Sequence, residues 1–190
     1  MCSSDLAAAT RAEARAMHLH GLIQLRLRKT ARAQRCFQRA LHLARNCGHR
    51  ETEAHALAWL GQIHGNRGDS RRAVQHLRNA TDIMEQVAPS SGAILIAPRL
   101  AEAYAADNDW AAATDTLQRC LDQSRSYGNR RMEMAAYRAR GRLHLTFGNH
   151  PQAIADLTQA VELANQLNIP RDIQTCRRSL EQAQATIDSI

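Results

Sequence analysis

The sequence predicts an all-α protein, an α-solenoid of four helix pairs closed by one further helix. Two observations predict this class. The 190 residues are 44% hydrophobic but only 4% aromatic, and their many alanines suit helices that pack closely together. Residues of one character also return every 40 positions, which is typical of stacked helical repeats.

Four columns of residues carry the 40-residue spacing. One column of small residues falls in the predicted first helices, and the predicted second helices supply a small, a bulky and another small column. Small residues let two helix backbones nearly touch, and the bulky residue fills the space beside them. The columns are Gly21, Gly61, Ala101 and Gly141; Ala33, Ala73, Ala113 and Ala153; Phe37, Leu77, Leu117 and Leu157; and Ala40, Ala80, Cys120 and Ala160.

The second repeat shows how a unit divides into two helices. Residues 53–64 have helical periodicity and place Gly61 on the packed face. Residues 65–70 interrupt the pattern, and either Asp69 or Ser70 can cap the helix that follows, because both side chains accept hydrogen bonds from free backbone N–H groups.

Helical periodicity, breaks and caps predict the bounds of the other units in the same way. Pro151 is expected in a first helical turn, where proline is accepted. After Pro170 one polar helix is predicted, a cap that keeps a solenoid from stacking on itself. The chain, 1–190, is predicted to be a single domain with repeats over residues 13–48, 53–88, 93–128 and 133–168 and a capping helix over residues 171–187.

The third unit is irregular. Pro98 falls inside its expected first helix, where proline costs about 3 kcal/mol outside the first turn. We therefore predict either a late helix start near Ile96 or a kink. Residues 89–92, Pro-Ser-Ser-Gly, replace the usual glycine turn before it.

These residues resemble the tetratricopeptide pattern of a large residue, Leu-Gly, an aromatic ring, then Ala, a bulky residue and Ala. The second repeat matches it with Leu60-Gly61, then His64, Ala73 and Leu77. The longer period of 40 residues is similar to the sensor repeats of maltose-regulator-type LuxR-family bacterial activators. The resemblance implies a right-handed superhelix in which the first helices line a concave groove.

The groove that the resemblance implies has an Arg-rich and amide-bearing lining. Offsets of −6, −3, +1 and +5 from the first-helix column form one helical stripe, and Trp59 lies beside it. Arginine binds carboxylates through two hydrogen bonds, and Gln or Asn can pair with a peptide backbone. An acidic peptide or protein segment is the expected partner; the alternative is that these are solvated helix faces. The candidate partner-binding residues are Arg15, His18, Arg26, His55, Trp59, Gln62, Asn66, Glu102, Arg138 and Arg142.

No enzyme, cofactor or metal is indicated. The nine histidines form no H-E-x-x-H motif, and His18 and His20 point about 200° apart around a helix. His64 and His144 share a column with Tyr104, so we interpret them as ring-shaped fillers between helices. The five cysteines contain no C-x-x-C pair, and we expect inert thiols.

Location and charge leave three functional hypotheses. No apolar segment is long enough to span a membrane and no signal-peptide core occurs, so a cytoplasmic location is the default. The net charge is +7, but the arginines are scattered among acids with few aromatics, so nucleic-acid binding is the least favoured hypothesis. A peptide-binding scaffold is favoured, and a ligand- or partner-sensing fragment of a larger bacterial regulator is the alternative.

Overall fold

The computed structural model describes residues 3–88 and 92–188, and within those ranges it contains helices and no strands. The prediction of an all-α chain is confirmed. In chain order the helices are α1 (Ser3–Arg26), α2 (Thr30–Asn46), α3 (Arg50–Gly65), α4 (Ser70–Val87), α5 (Gly92–Ala106), α6 (Trp110–Ser126), α7 (Arg130–Thr146), α8 (His150–Leu167) and α9 (Pro170–Asp188).

The chain divides into two compact units, residues 1–96 and 97–190. In the first unit α1 packs on α2, α2 on α3, and α3 on α4. In the second unit α6 packs on α7, α7 on α8, and α8 on α9. The helix pairs occupy residues 3–46, 50–87, 92–126 and 130–167, so α1 begins at Ser3 rather than near residue 13, and α9 spans Pro170–Asp188.

The repeat columns form the core of both units. The alanines 33, 73, 113 and 153 are all fully buried, as are the bulky residues four positions after each. The glycine column marks the closest approach of two helices. A Cβ built on Gly61 would lie 2.7 Å from Cγ of Leu77, and one on Gly141 would lie 2.7 Å from Cγ of Leu157.

Left-handed residues end three of the second helices at matching positions. Gly48, Gly128 and Asn168 have φ values of 66°, 64° and 50°, a conformation that glycine adopts without strain and asparagine tolerates. Aspartates cap two of the second helices, α4 and α6. Asp69 accepts a hydrogen bond from the backbone N–H of Arg72 at 3.2 Å, so Asp69 rather than Ser70 is the cap.

Helix α5 corrects one prediction. It begins at Gly92 and contains Pro98, so the late start near Ile96 is wrong, and the alternative, a kink there, stays a prediction. Ile94 and Ile96 are buried in the early helix, and burying an isoleucine side chain contributes about 1.5–3 kcal/mol, so the two together offset the proline. The preceding residues 89–91, predicted to replace the glycine turn, lie outside the described residues.

Two buried carboxylates link successive hairpins at positions 80 residues apart. Glu53 accepts a hydrogen bond from Nε of Arg45 at 2.9 Å across the α2–α3 turn. Glu133 accepts the equivalent bond from Arg125 at 3.0 Å across the α6–α7 turn. The sequence columns did not reveal this second, longer period, because it involves polar residues in alternate repeats.

A third ion pair lies between the two helices of the fourth hairpin. Arg140 Nε and Nη2 donate to the two carboxylate oxygens of Asp156, each at 2.7 Å. The hydrogen bond to Asp156 raises the pKa of Arg140, although burial opposes it. The Arg140 and Asp156 side chains are only 19% and 8% exposed, so this pair is largely shielded from water.

The glycine column predicts a selective sensitivity to added methyl groups. We expect Gly61→Ala to lower the free energy of unfolding by about 1–3 kcal/mol, because the new Cβ must displace the Leu77 side chain. Gly65→Ala is the matched control. Its Cβ would lie 3.6 Å from Cβ of Ala73, an ordinary contact, so this variant should be neutral or more stable. Urea unfolding of both variants measures the difference, and equal midpoints would contradict the close approach.

The Arg140–Asp156 pair predicts a second contrast. Asp156→Ala should cost about 3 kcal/mol or more, because it leaves a buried guanidinium without its carboxylate. Asp115→Ala instead breaks the Arg119–Asp115 pair, in which the Asp115 and Arg119 side chains are 66% and 65% exposed. This variant should lower the free energy of unfolding by less than about 1 kcal/mol. Thermal and urea unfolding test this order, and a larger loss in Asp115→Ala would contradict it.

Candidate partner-binding site

A cavity of about 280 Å³ lies in the second unit, against the faces of α5, α7 and α9. Its apolar part consists of aliphatic side chains from these helices and Leu117 of α6. Its polar part includes Glu102, Arg142, Ser179 and Gln182. The remaining lining residues are Pro98, Ala101, Ala105, Ala139, Leu143, Leu145 and Thr146.

Two predicted site residues meet at this cavity. Arg142 Nη1 lies 3.4 Å from Oε1 of Glu102, and the side chains are 60% and 51% exposed. An exposed ion pair contributes about 0–1 kcal/mol, so Glu102 holds Arg142 weakly.

Helix α9 supplies two cavity residues that the sequence analysis missed. Ser179 and Gln182 stand 40 residues after Ala139 and Arg142, so α9 occupies the register of a fifth first helix. The 40-residue step was the signal that could have found them. The sequence predicts this helix only as a cap, and extending the stripe by one period adds Gln182 to the column of Glu102 and Arg142.

Arg138, the third predicted residue of this unit, is not among the residues that line the cavity. It is half-buried and lies near Cys176, where it lowers the pKa of the thiol against a larger rise caused by burial. Arg138 and Arg142 are neighbours on one helix, yet only Arg142 faces the cavity.

A larger depression of about 600 Å³ is a weaker candidate. Only α9 lines it, through residues between Pro170 and Glu181. A single helix provides one wall, whereas the smaller cavity has walls from four helices. We therefore take the α5–α7–α9 cavity as the candidate site.

In the first unit three predicted residues join a ring cluster. His18 and His55 have ring centroids 5.6 Å apart, and Trp59 stacks on Phe37 at 6.0 Å with an interplanar angle of 8°. All three predicted residues are half-buried, and Trp59 packs against the core cluster around Phe37. Packing against this cluster is thus one role of Trp59.

The other predicted residues of the first unit lie apart along their helices. Arg15 and Arg26 are exposed on α1, about 16 Å from each other along the helix axis. Gln62 is half-buried on α3, and the exposed Asn66 ends that helix, with its backbone N–H donating to the Gln62 carbonyl.

Histidine pairs fill the space between helices, as interpreted from the sequence. The half-buried His64 ring lies 5.4 Å from that of His76, and His144 Nε2 lies 3.8 Å from Asp156. In residues 3–88 and 92–188 no group of three or more His, Cys, Asp or Glu side chains is arranged to hold a metal ion. No helix in those same ranges is long and apolar enough to cross a membrane.

Comparison with known sequences decides the family. One profile of the tetratricopeptide repeat matches residues 92–166, and a second matches residues 14–47. The chain contains tetratricopeptide repeats. No curated protein matches it in sequence.

Solved structures share the fold of this tetratricopeptide-repeat chain. Nearly identical TPR-like repeats of a candidate kinesin light chain from Podosopora anserina superpose with a TM-score of 0.72 at 15% identity, covering 94% of this chain and 89% of that one. BtubC (BKLC) from P. vanneervenii gives 0.57 at 12% identity, covering 98% and 91%. A Rap protein complexed with Competence and Sporulation Factor gives 0.79 at 15% identity, covering 93% of this chain and 50% of that one. Together with the helix order, these matches establish an all-α helical repeat solenoid.

The ring cluster of this tetratricopeptide-repeat chain predicts acid sensitivity. Burial, and then His55, lower the pKa of His18 to about 4, whereas a histidine in the unfolded chain titrates near 6.5. Between these values the unfolded chain binds more protons, so stability is full above about pH 6.5 and falls as the pH drops towards about 4. Burial lowers the pKa of His76 and His144 as well, which acts in the same direction.

His18→Gln should therefore flatten the pH dependence of unfolding. We expect a smaller difference between the urea midpoints at about pH 7 and about pH 5 than in the wild type. His42→Gln, a change at an exposed histidine of α2, is the matched control and should keep the wild-type difference. An unchanged difference in His18→Gln would show that His18 does not contribute.

Proposed function

We propose that this tetratricopeptide-repeat chain is a protein-binding scaffold that seats a partner's peptide segment in the α5–α7–α9 cavity. The observation that carries the proposal is an apolar cavity with a loosely held arginine on its wall. Small-molecule and cofactor sites occupy about 300–1,000 Å³, so a cavity of about 280 Å³ suits one or two side chains of a peptide. The role is non-catalytic and cytoplasmic.

The preferred segment is acidic. Arg142 offers a planar fork that binds a carboxylate through two hydrogen bonds, and its present partner Glu102 is exposed and exchangeable. Ser179 and Gln182 add hydroxyl and amide groups that can pair with an extended backbone. An apolar side chain in the cavity with a carboxylate beside it satisfies both parts of the lining.

The first unit offers a second contact surface of the same charge. Arg15 and Arg26 on α1 carry exposed guanidinium groups, and the half-exposed Trp59 is a residue type common at binding hot spots. Gln62, Asn66 and His55 supply further polar groups. His18 is neutral at pH 7 because its pKa is low, so it contributes a ring and no positive charge.

A second candidate function is sensing, as a fragment of a larger bacterial regulator. The Rap structure that shares this fold holds Competence and Sporulation Factor, and this chain spans half of that protein's length. A factor bound by one such solenoid favours a comparable use here. The similarity in period to the sensor repeats of LuxR-family activators points the same way.

Selection from a random peptide display library tests the scaffold. We expect the wild-type chain to enrich peptides with an acidic residue next to an apolar one, and Arg142→Glu to lose that preference. For the best peptide, Arg142→Glu should weaken the Kd about tenfold or more, the loss expected for one charged hydrogen bond. Fluorescence anisotropy measures the Kd.

Arg119→Glu is the matched control. It makes the same charge change at an exposed arginine on α6, outside the cavity, so affinity should stay within about twofold of the wild type. Equal weakening by both variants would show a general charge effect and contradict the site. Selection of acid-free peptides would contradict the acidic preference. Nucleic-acid binding that falls steeply with salt would favour the least favoured hypothesis, a nucleic-acid accessory.

A further inference from the structure

A thiol, an imidazole and an amide meet between α1 and α2. Cys36 Sγ lies 3.8 Å from Nδ1 of His20. The other ring nitrogen, Nε2, lies 3.0 Å from the side-chain amide of Gln24. His20 is exposed and Cys36 is half-buried, so solvent reaches both the base and the thiol.

The amide of Gln24 can set the tautomer of the His20 ring. Gln24 is only 9% exposed, and its Oε1 finds no hydrogen-bond partner among the described residues. The oxygen and nitrogen of an amide exchange places by a half-turn of the group. With Oε1 facing the ring, the amide accepts the Nε2–H hydrogen bond, and the Nδ1 lone pair is left facing the thiol.

The fourth hairpin carries different side chains at the positions that hold His20, Gln24 and Cys36 in the first hairpin. Residues 140, 144 and 156 stand 120 positions after residues 20, 24 and 36. There Arg140 and His144 surround the carboxylate of Asp156, at 2.7 Å and 3.8 Å. Two first-helix side chains, four residues apart, thus hold an anion from the second helix. In the first hairpin the same place holds a thiol, which becomes an anion when it loses its proton.

The other described cysteines lack this arrangement. Cys47 is half-buried, and its thiol lies 3.6 Å from the carbonyl oxygen of Ala44. Cys120 and Cys176 are buried, and burial raises the pKa of Cys120 to about 11 and raises that of Cys176. Cys2 lies outside the described residues. Among the described thiols, Cys36 is the one beside an accessible imidazole.

We propose that Cys36 is a modification site for low-molecular-weight disulfides and soft electrophiles, with His20 as its base. As the Cys36 sulfur attacks a disulfide, its proton passes to Nδ1 of His20. A bond forms between Cys36 and one sulfur of the disulfide while the disulfide's own bond breaks, and the departing thiolate takes the proton from His20. The products are a mixed disulfide on Cys36 and one free small thiol, so the disulfide is the oxidant. This revises the expectation of inert thiols for Cys36 alone.

Site-resolved labelling of the full chain tests the proposal. The native protein is pulsed with oxidised glutathione, or in parallel with iodoacetamide, and each cysteine peptide is quantified by mass spectrometry. Cys36 should react about tenfold faster than Cys47, the half-buried thiol at the end of the same helix, because only Cys36 has a base beside it. Equal rates at the two sites, or a slower rate at Cys36, would overturn the assignment.

Variants of His20 separate proton transfer from accessibility. In His20→Ala and His20→Gln the Cys36 rate should fall to that of Cys47, and free imidazole in the buffer should restore part of it in His20→Ala. His42→Ala removes another exposed histidine of this hairpin and should change nothing. An undiminished Cys36 rate in both His20 variants would overturn the role of the base.

Gln24 is a positioning residue in this proposal, and its variants have opposite expectations. Gln24→Leu removes the acceptor for Nε2–H and should slow Cys36 labelling. Gln24→Glu keeps an acceptor of the same length and should retain the rate. If Gln24 had only a structural role, the rate of Cys36 labelling would be the same in Gln24→Leu and Gln24→Glu. Equal labelling rates would therefore overturn the proposal that Gln24 positions the His20 ring.

Discussion

The close approach of two helix backbones within each hairpin is the constraint on which the fold depends. At Gly61 and Gly141 a single added carbon would come within 2.7 Å of the leucine beside it. Because the helices are this close, the alanines on the opposite helix are fully buried and one bulky side chain fills the adjacent space. Each hairpin therefore repeats one small–small–bulky arrangement, and the 40-residue period follows from it.

The polar contacts between the two helices of a hairpin differ from one hairpin to the next, whereas the apolar contacts of the small and bulky columns are repeated. One register position of the second helix carries Cys36, His76 and Asp156 in three hairpins, next to His20, His64 and Arg140. The small and bulky columns already provide the burial that holds each hairpin together, so this position can differ in charge and chemistry. The same scaffold can thus place a thiol in one hairpin and a shielded ion pair in another.

The candidate site depends on the 40-residue period because this period aligns α9 with the first helices of the hairpins. Helix α9 follows the register of a first helix, so its face joins those of α5 and α7 around the cavity. At the position of the small column it carries Glu181 instead of glycine or alanine, and a glutamate there opposes the close packing of a further helix. The same helix contributes Ser179 and Gln182 to the lining.

The sequence alone determined the helical class, the helix pairs, their register and the core columns, because these depend on the size of side chains at a fixed spacing. It also named Glu102 and Arg142, which share one column. It could not determine which neighbours on a helix face the same cavity, as Arg138 and Arg142 do not, or that α5 would retain Pro98 in its interior. Nor could it bring His20 to Cys36. Such contacts depend on how side chains from different helices are oriented once the backbones have packed, and only the tertiary structure decides that.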